Sequence, residues 1–212
     1  VRKPRPPAKV EYRMAYVATI AALDRDGNSL VTRRYAAPAE QGPRQLLERL
    51  MADLSHLVKQ RGSLPIVVVQ DGAPEMWNLM RGALAAAGFD HRQWREIIDR
   101  YHVNERLARV TEIVEHDETR RRTLFAKWNA DLDRSDGALL RVIATLDPMV
   151  ECASRSKQTE LDQHCAYLWE VAESGRCRYA SFRRRCLPIG SGVTEGACKS
   201  LISLRAFGAH EK

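Results

Sequence analysis

The chain has 212 residues, 44% of them apolar and 29% charged, which describes a globular protein long enough for one large domain or two small ones. Its longest apolar runs, such as residues 66–69, are far too short to cross a bilayer, so no membrane partner is expected. Lys and Arg number 34 against 27 Asp and Glu, a formal charge of +7 that fits a polyanionic partner without fixing fold or chemistry.

Residues 1–10 open Val-Arg-Lys-Pro-Arg-Pro-Pro, a basic Pro-rich stretch expected to be extended and solvated. No apolar core follows those charges, so no secretory signal is expected, and a start of this kind reads as that of a fragment. Over residues 11–23, Tyr12, Met14, Tyr16, Val17, Thr19 and Ile20 suit a strand. Asp24-Arg-Asp-Gly27-Asn supplies a hairpin turn, with a second strand from Ser29 to about Tyr35. Gln41-Gly-Pro43 then opens an amphipathic helix in which Leu46, Leu47, Leu50, Leu54, Leu57 and Val58 recur at helical spacing. Leu64-Pro-Ile-Val-Val-Val-Gln70 is a continuous apolar run, expected to be a strand buried on both faces.

That strand ends at Asp71-Gly72-Ala73-Pro74, with Pro74 well placed to start a helix through Trp77 and Leu84. A short strand over residues 95–99 leads to Tyr101-His102-Val103 and another helix. Asp71 and Asp99 are therefore both expected at strand-to-helix junctions, where ligands of open α/β sheets gather. Together these elements predict one mixed α/β sheet over residues 11–103.

From 104 to about 185 strand-like runs vanish. Leu107, Val110, Ile113, Leu124, Trp128 and Leu132 begin a helical block, with breaks expected at Asp147-Pro148 and Glu173-Ser-Gly175. Trp77, Trp94, Trp128 and Trp169 read as core anchors. Five cysteines without a Cys-x-x-Cys pair, and His164 without a second histidine at ligand spacing, read as reduced thiols and argue against structural zinc. Between 176 and 185, Arg176, Arg178, Arg183, Arg184 and Arg185 interleave with Tyr179 and Phe182, a pattern suited to phosphate neutralisation and base stacking. Residues 186–212 form the final segment, where Gly190-Ser-Gly192 approaches a helix carrying Glu195, Cys198 and Lys199. It lacks the Gly-Lys-Ser/Thr ending of a phosphate loop and the Gly-x-Ser-x-Gly of a nucleophile elbow.

Taken together, Val69-Gln-Asp71-Gly-Ala-Pro74, Asp99-Arg-Tyr-His102 and Pro188-Ile-Gly-Ser-Gly192-Val-Thr-Glu195-Gly-Ala-Cys-Lys199 resemble motifs of DDE transposases of prokaryotic insertion sequences. The likeness runs from about Tyr12 to Arg205 and is nearest to enzymes with a Gly-Ser-Gly-x-x-Glu motif and a helical insertion, akin to Kra-type and Mutator-like transposases. It implies an RNase H-like mixed sheet with a helical insertion over residues 104–185, and metal-dependent DNA cleavage and strand transfer. Charge builds on the attacking and leaving oxygens of such in-line displacements, and two divalent ions ~3.5–4 Å apart can stabilise both. Mg²⁺ (or Mn²⁺) needs only a few carboxylates for this.

By the resemblance, Asp71 and Glu195 match the second and third acidic residues and metal ligands, and Asp99 and His102 an accessory pair. Lys199, with Arg178, Arg183, Arg184 and Arg185, would meet phosphates. The partners implied are transposon-end and target DNA and further copies of the chain, in a bacterial cytoplasm at the nucleoid. The family's first Asp lies on a strand upstream of the hairpin, and Asp24 and Asp26 belong to the turn, so that strand is expected to be missing and activity is left open. Other readings stand beside these. Asp71 could cap the next helix, Glu195 could serve its dipole, His102 could be a half-buried residue bonded to backbone, and the chain could be an inactive remnant that only binds nucleic acid, or a hydrolytic nuclease.

Overall fold

A computed structural model describes residues 15–62, 64–152, 155–192 and 194. The first turn forms for the reason its residues suggest. Asp24 Oδ1 accepts the N–H groups of Asp26 (2.9 Å) and Asn28 (2.8 Å), while Gly27 supplies the positive φ of 85°. This turn joins β1 (Ala15–Leu23) to β2 (Ser29–Pro38), antiparallel with Ala15 opposite Pro38. The second strand thus runs three residues past the expected Tyr35. Helix α1 (Arg44–Arg61) buries Leu46, Leu50 and Met51, and β2 buries Tyr35 and Ala37. The Tyr35 hydroxyl donates to Asp53 Oδ2 at 2.6 Å and Arg33 pairs with Oδ1 at 2.6 Å, clamping α1 onto the hairpin. These two donors, Tyr35 foremost, hold the Asp53 carboxyl below its ordinary range.

Strand β3 (Ile66–Gln70) passes through α2 (Pro74–Ala86) to β4 (Trp94–Ile98). The two strands pair in parallel, Ile66 opposite Trp94 and Gln70 opposite Ile98, as a β-α-β crossover requires. Only Val68 of β3 is buried, and its other residues are half-buried. Burial on both faces needs layers on both sides of a wide sheet, and this sheet has two strands. The single mixed sheet expected from the sequence also divides: among the described residues β1 pairs only with β2, and β3 only with β4.

The helical part begins at Arg100, not Asn104, because Asp99 caps it. Helices α3 (Arg100–Val114), α4 (Glu118–Arg134), α5 (Ala138–Cys152), α6 (Arg155–Glu173) and α7 (Tyr179–Arg184) follow. The described chain is thus a mixed α/β structure, mostly helical, with seven α-helices and two small sheets. The break expected at Asp147-Pro148 does not occur, since Pro148 lies inside α5. A proline there removes one hydrogen bond, and the helix, packed on α6, carries the loss. The break after Glu173 is real: α6 ends there, and Gly175 turns the chain at φ 69°.

One buried cluster runs from Ile97 and Ile98 of β4 through Val103, Leu107 and Val110 of α3 to Leu132, Leu139, Leu146, Leu161 and Leu168. Trp77 and Trp128 belong to it, and Trp94 packs against it half-buried. Trp169 is instead 52% exposed. The inward stripe of α6 is Leu161, His164, Leu168 and Val171, and position 169 falls off that stripe. No helix among the described residues is long and apolar enough to cross a membrane.

Leu107→Ala, at a fully buried position of α3, should lower the unfolding free energy by about 2–5 kcal/mol in urea titration. Leu140→Ala, on the exposed side of α5, should change it by only a few tenths of a kcal/mol. Equal losses at both positions would contradict a core centred on Leu107 and its neighbours.

Candidate functional site

The carboxyl ends of β3 and β4 lie side by side because the strands are parallel. The Gln70 carbonyl accepts the Asp99 N–H at 2.7 Å, tying together the segments that carry Asp71 and Asp99. Asp71 is exposed. Its Oδ1 accepts the Ala73 N–H at 3.0 Å, fixing the turn before α2, but the helix itself receives no side-chain cap bond, so Asp71 does not cap it. Its Oδ2 carries no hydrogen bond among the described residues.

Gly72 follows at φ 98°, and a Cβ there would stand 3.1 Å from Tyr167 Oη. The backbone conformation favours glycine here, and the Tyr167 hydroxyl would have to shift by a few tenths of an ångström for any larger residue. The Tyr167 hydroxyl donates to the Asp71 carbonyl at 3.1 Å, so α6 touches the turn directly. The Arg106 guanidinium lies over the Tyr167 ring, 4.9 Å from its centre.

Asp99 is withdrawn wholly from water. Its Oδ1 accepts the Tyr101 N–H at 2.8 Å, which caps α3, and its Oδ2 accepts the Ser191 N–H at 2.8 Å and the Ser191 hydroxyl. Beside it, the Arg100 N–H donates to the Ile189 carbonyl at 2.9 Å, and Thr194 Oγ1 lies 2.7 Å from Thr19 Oγ1 of β1. The three motif segments at 71, 99 and 190–192 therefore meet at one end of the β3–β4 sheet.

A cleft of about 480 Å³ opens next to them, bounded by the turn at Asp71, by α3 and by α6. Asp71, His102, Glu105, Arg106, His164 and Glu170 contribute to its wall. His102, 38% exposed, bonds through Nδ1 to Glu105 Oε2 at 3.0 Å, a side chain rather than backbone. His164 is almost buried, and burial, then the nearby Arg106, push its pKa down, favouring the neutral ring. Arg176, also in the wall, pairs with Glu96 at 2.8 Å and stacks 5.0 Å from the Trp77 ring centre. Burial pushes the Glu96 carboxyl up, but Arg81 and Arg176 outweigh it and hold it below its ordinary range.

The basic segment at 176–185 divides into an inner and an outer set. Tyr179 and Phe182, expected as stacking platforms, are buried. The Tyr179 hydroxyl donates to the Ile98 carbonyl at 2.9 Å, and Arg100 lies 5.0 Å from its ring centre. Bases cannot stack on rings that form the floor of the fold. Arg178, Arg183, Arg184 and Arg185 remain exposed, with Arg183 3.4 Å from Asp133 and Arg184 donating to Ser181 Oγ at 2.8 Å. Glu195 and Lys199 lie outside the described residues.

Among the described residues one Asp71 carboxylate oxygen carries no hydrogen bond, whereas both Asp99 oxygens are turned to N–H and O–H donors. Among the described residues no group of three His, Cys, Asp or Glu side chains is placed to hold a metal. Sequence reasoning missed Arg100, Tyr167 and Ser191 as parts of this end of the sheet. Arg100 is buried and bonds Asn104 Oδ1 at 2.6 Å and Asn129 Oδ1 at 2.9 Å, partners 4 and 29 residues away. Compared with known proteins, the chain matches no family model, no curated protein and no solved structure.

The depressed pKa of His164 has a signed consequence. Unfolded chains take up a proton near the ordinary value of 6.5, and the folded ring resists until a lower pH. The stability this provides is present above pH 6.5 and lost as pH falls through the window between the two values. Denaturant titrations at pH 7.5 and 5.5 should show a larger acid loss for the wild type than for His164→Gln. Equal losses would contradict a buried neutral imidazole.

Proposed function

We propose that the chain is part of the catalytic core of a DDE-type DNA transposase with RNase H-like architecture, acting on transposon-end and target DNA as a homo-oligomer in the bacterial cytoplasm, at the nucleoid. The observation that carries this reading is the meeting of three sequence-remote segments at the ends of two parallel strands. Asp71, Asp99 and Ser191 are 28 and 92 residues apart in sequence, yet the Gln70–Asp99 and Ser191–Asp99 bonds hold their segments together. Ligands of open α/β sheets gather at such strand ends, and a phosphate there would meet side chains from distant segments.

In this reading Asp71 and Glu195 would hold the Mg²⁺ or Mn²⁺, with Asp71 presenting its open oxygen. The ion supplies a centre that stabilises charge on the attacking and leaving oxygens. Arg178, Arg183, Arg184, Arg185 and Lys199 would neutralise backbone phosphates, and His102 would stand at the rim of the cleft beside Asp71. A second reading is nucleic-acid binding without catalysis, for which the exposed Arg178, Arg183, Arg184 and Arg185 would suffice.

The two readings part on Asp71→Asn. With Mn²⁺ and supercoiled plasmid, a full-length protein that carries the family's first Asp should nick DNA, and its Asp71→Asn variant should lose at least about a hundredfold in rate at unchanged DNA affinity. Nicking that survives the change would remove Asp71 from the mechanism, and binding without nicking by the unsubstituted full-length protein favours the second reading. Replacing Arg178, Arg183, Arg184 and Arg185 together by Ala should weaken DNA binding. The slope of log affinity against log salt should shrink by about 0.9 for each phosphate no longer neutralised. An unchanged slope would place the DNA path elsewhere.

A further inference from the structure

We propose that Asp99 is a positioning residue: its buried carboxylate latches the Gly190-Ser191-Gly192 segment to the carboxyl ends of β3 and β4, and so fixes where the residues after it in the chain are delivered relative to Asp71. The inference rests on the transposase reading for what is delivered, and on hydrogen bonds alone for the latch.

A carboxylate removed from water must be met by donors, and Asp99 meets three. One, the Tyr101 N–H, is local and would serve any helix start. The other two, the N–H and hydroxyl of Ser191, come from a single residue 92 positions away. Capping α3 therefore occupies only one of the two oxygens, and the other is committed to the last segment.

The surroundings point the same way. The Arg100 N–H takes the Ile189 carbonyl at 2.9 Å, so two successive groups at the start of α3 grip two nearby residues of the segment. An ideal Cβ on Gly190 would stand 3.7 Å from Asp99 Oδ1, showing how closely the backbone passes the carboxylate. Farther along, Thr194 reaches Thr19 of β1 at 2.7 Å. The segment thus joins the β3–β4 end to the hairpin, and Asp99 is its fully buried anchor. Meanwhile the Asp99 N–H is bound to the Gln70 carbonyl, one residue before Asp71, so a single residue touches both sides of the junction.

Asp99→Asn tests this with little change of shape. The Asn carbonyl can still cap α3 through the Tyr101 N–H, but its NH₂ then faces the Ser191 N–H, donor against donor. Ser191→Ala removes only the hydroxyl bond, and Ser191→Thr restores it. Hydrogen exchange of peptides covering residues 186–194 should accelerate at least tenfold in D99N, less in S191A, and return toward wild type in S191T, while peptides of α5 and α6 keep their protection. The D99N/S191A double variant should exchange no faster than D99N, because both act on one contact.

In plasmid nicking by the full-length protein with Mn²⁺, D99N should lower kcat with the KM for DNA unchanged, as expected when the reacting groups are misplaced and DNA is still held. Unchanged exchange over residues 186–194 in D99N overturns the latch. Faster exchange with wild-type kcat overturns the positioning role. If a full-length protein that carries the family's first Asp binds DNA but never nicks it, the transposase reading fails and with it the positioning role, while the exchange series still decides whether the latch exists.

Discussion

A carboxylate held out of water constrains everything around it, because its charge must be met by hydrogen-bond donors or the fold loses several kcal/mol. Asp99 is that carboxylate here. It starts α3, holds the Gly190-Ser191 segment and, through its own N–H, bonds to the end of β3. The parallel pairing of β3 with β4 sets the two strand ends together. Asp99 then recruits the final segment to the same place, so the junction depends on one buried side chain more than on any sheet-wide feature.

Around that point the structure separates its charges by partner. Arg100, Arg81 and Arg176 are spent internally, on Asn104 and Asn129 or on Glu96. Arg178, Arg183, Arg184 and Arg185 stay at the surface. They are among the basic side chains that an external polyanion could reach. Tyr167, Arg106 and His164 join the helices to the turn at Asp71, so the cleft wall is built from both the sheet-bearing and the helical parts of the chain.

Local chemistry was legible where it acts at short range. The Asp24–Asn28 turn, the Pro74 helix start and the end of α6 near Gly175 follow from side-chain caps, fixed φ and positive φ, all properties of neighbouring residues. Sequence patterns mislead where the outcome depends on distant partners. Pro148 stays inside α5 because packing on α6 outweighs one missing hydrogen bond. Trp169 faces solvent because the inward stripe of its helix passes through His164 and Leu168. Tyr179 and Phe182, surrounded by arginines in sequence, turn inward because Tyr179 finds the Ile98 carbonyl.

The sequence by itself determined the order of elements as far as α3, the strand-to-helix junctions at Asp71 and Asp99, and the excess of basic side chains, since each follows from periodicity, turn residues or composition. Tertiary structure decided that the strands form two small sheets among the described residues, that Asp99 faces Ser191 and that Tyr167 closes on Gly72. Those outcomes rest on contacts between residues up to 96 positions apart, and hydrogen-bond partners at that separation leave no periodic trace along the chain.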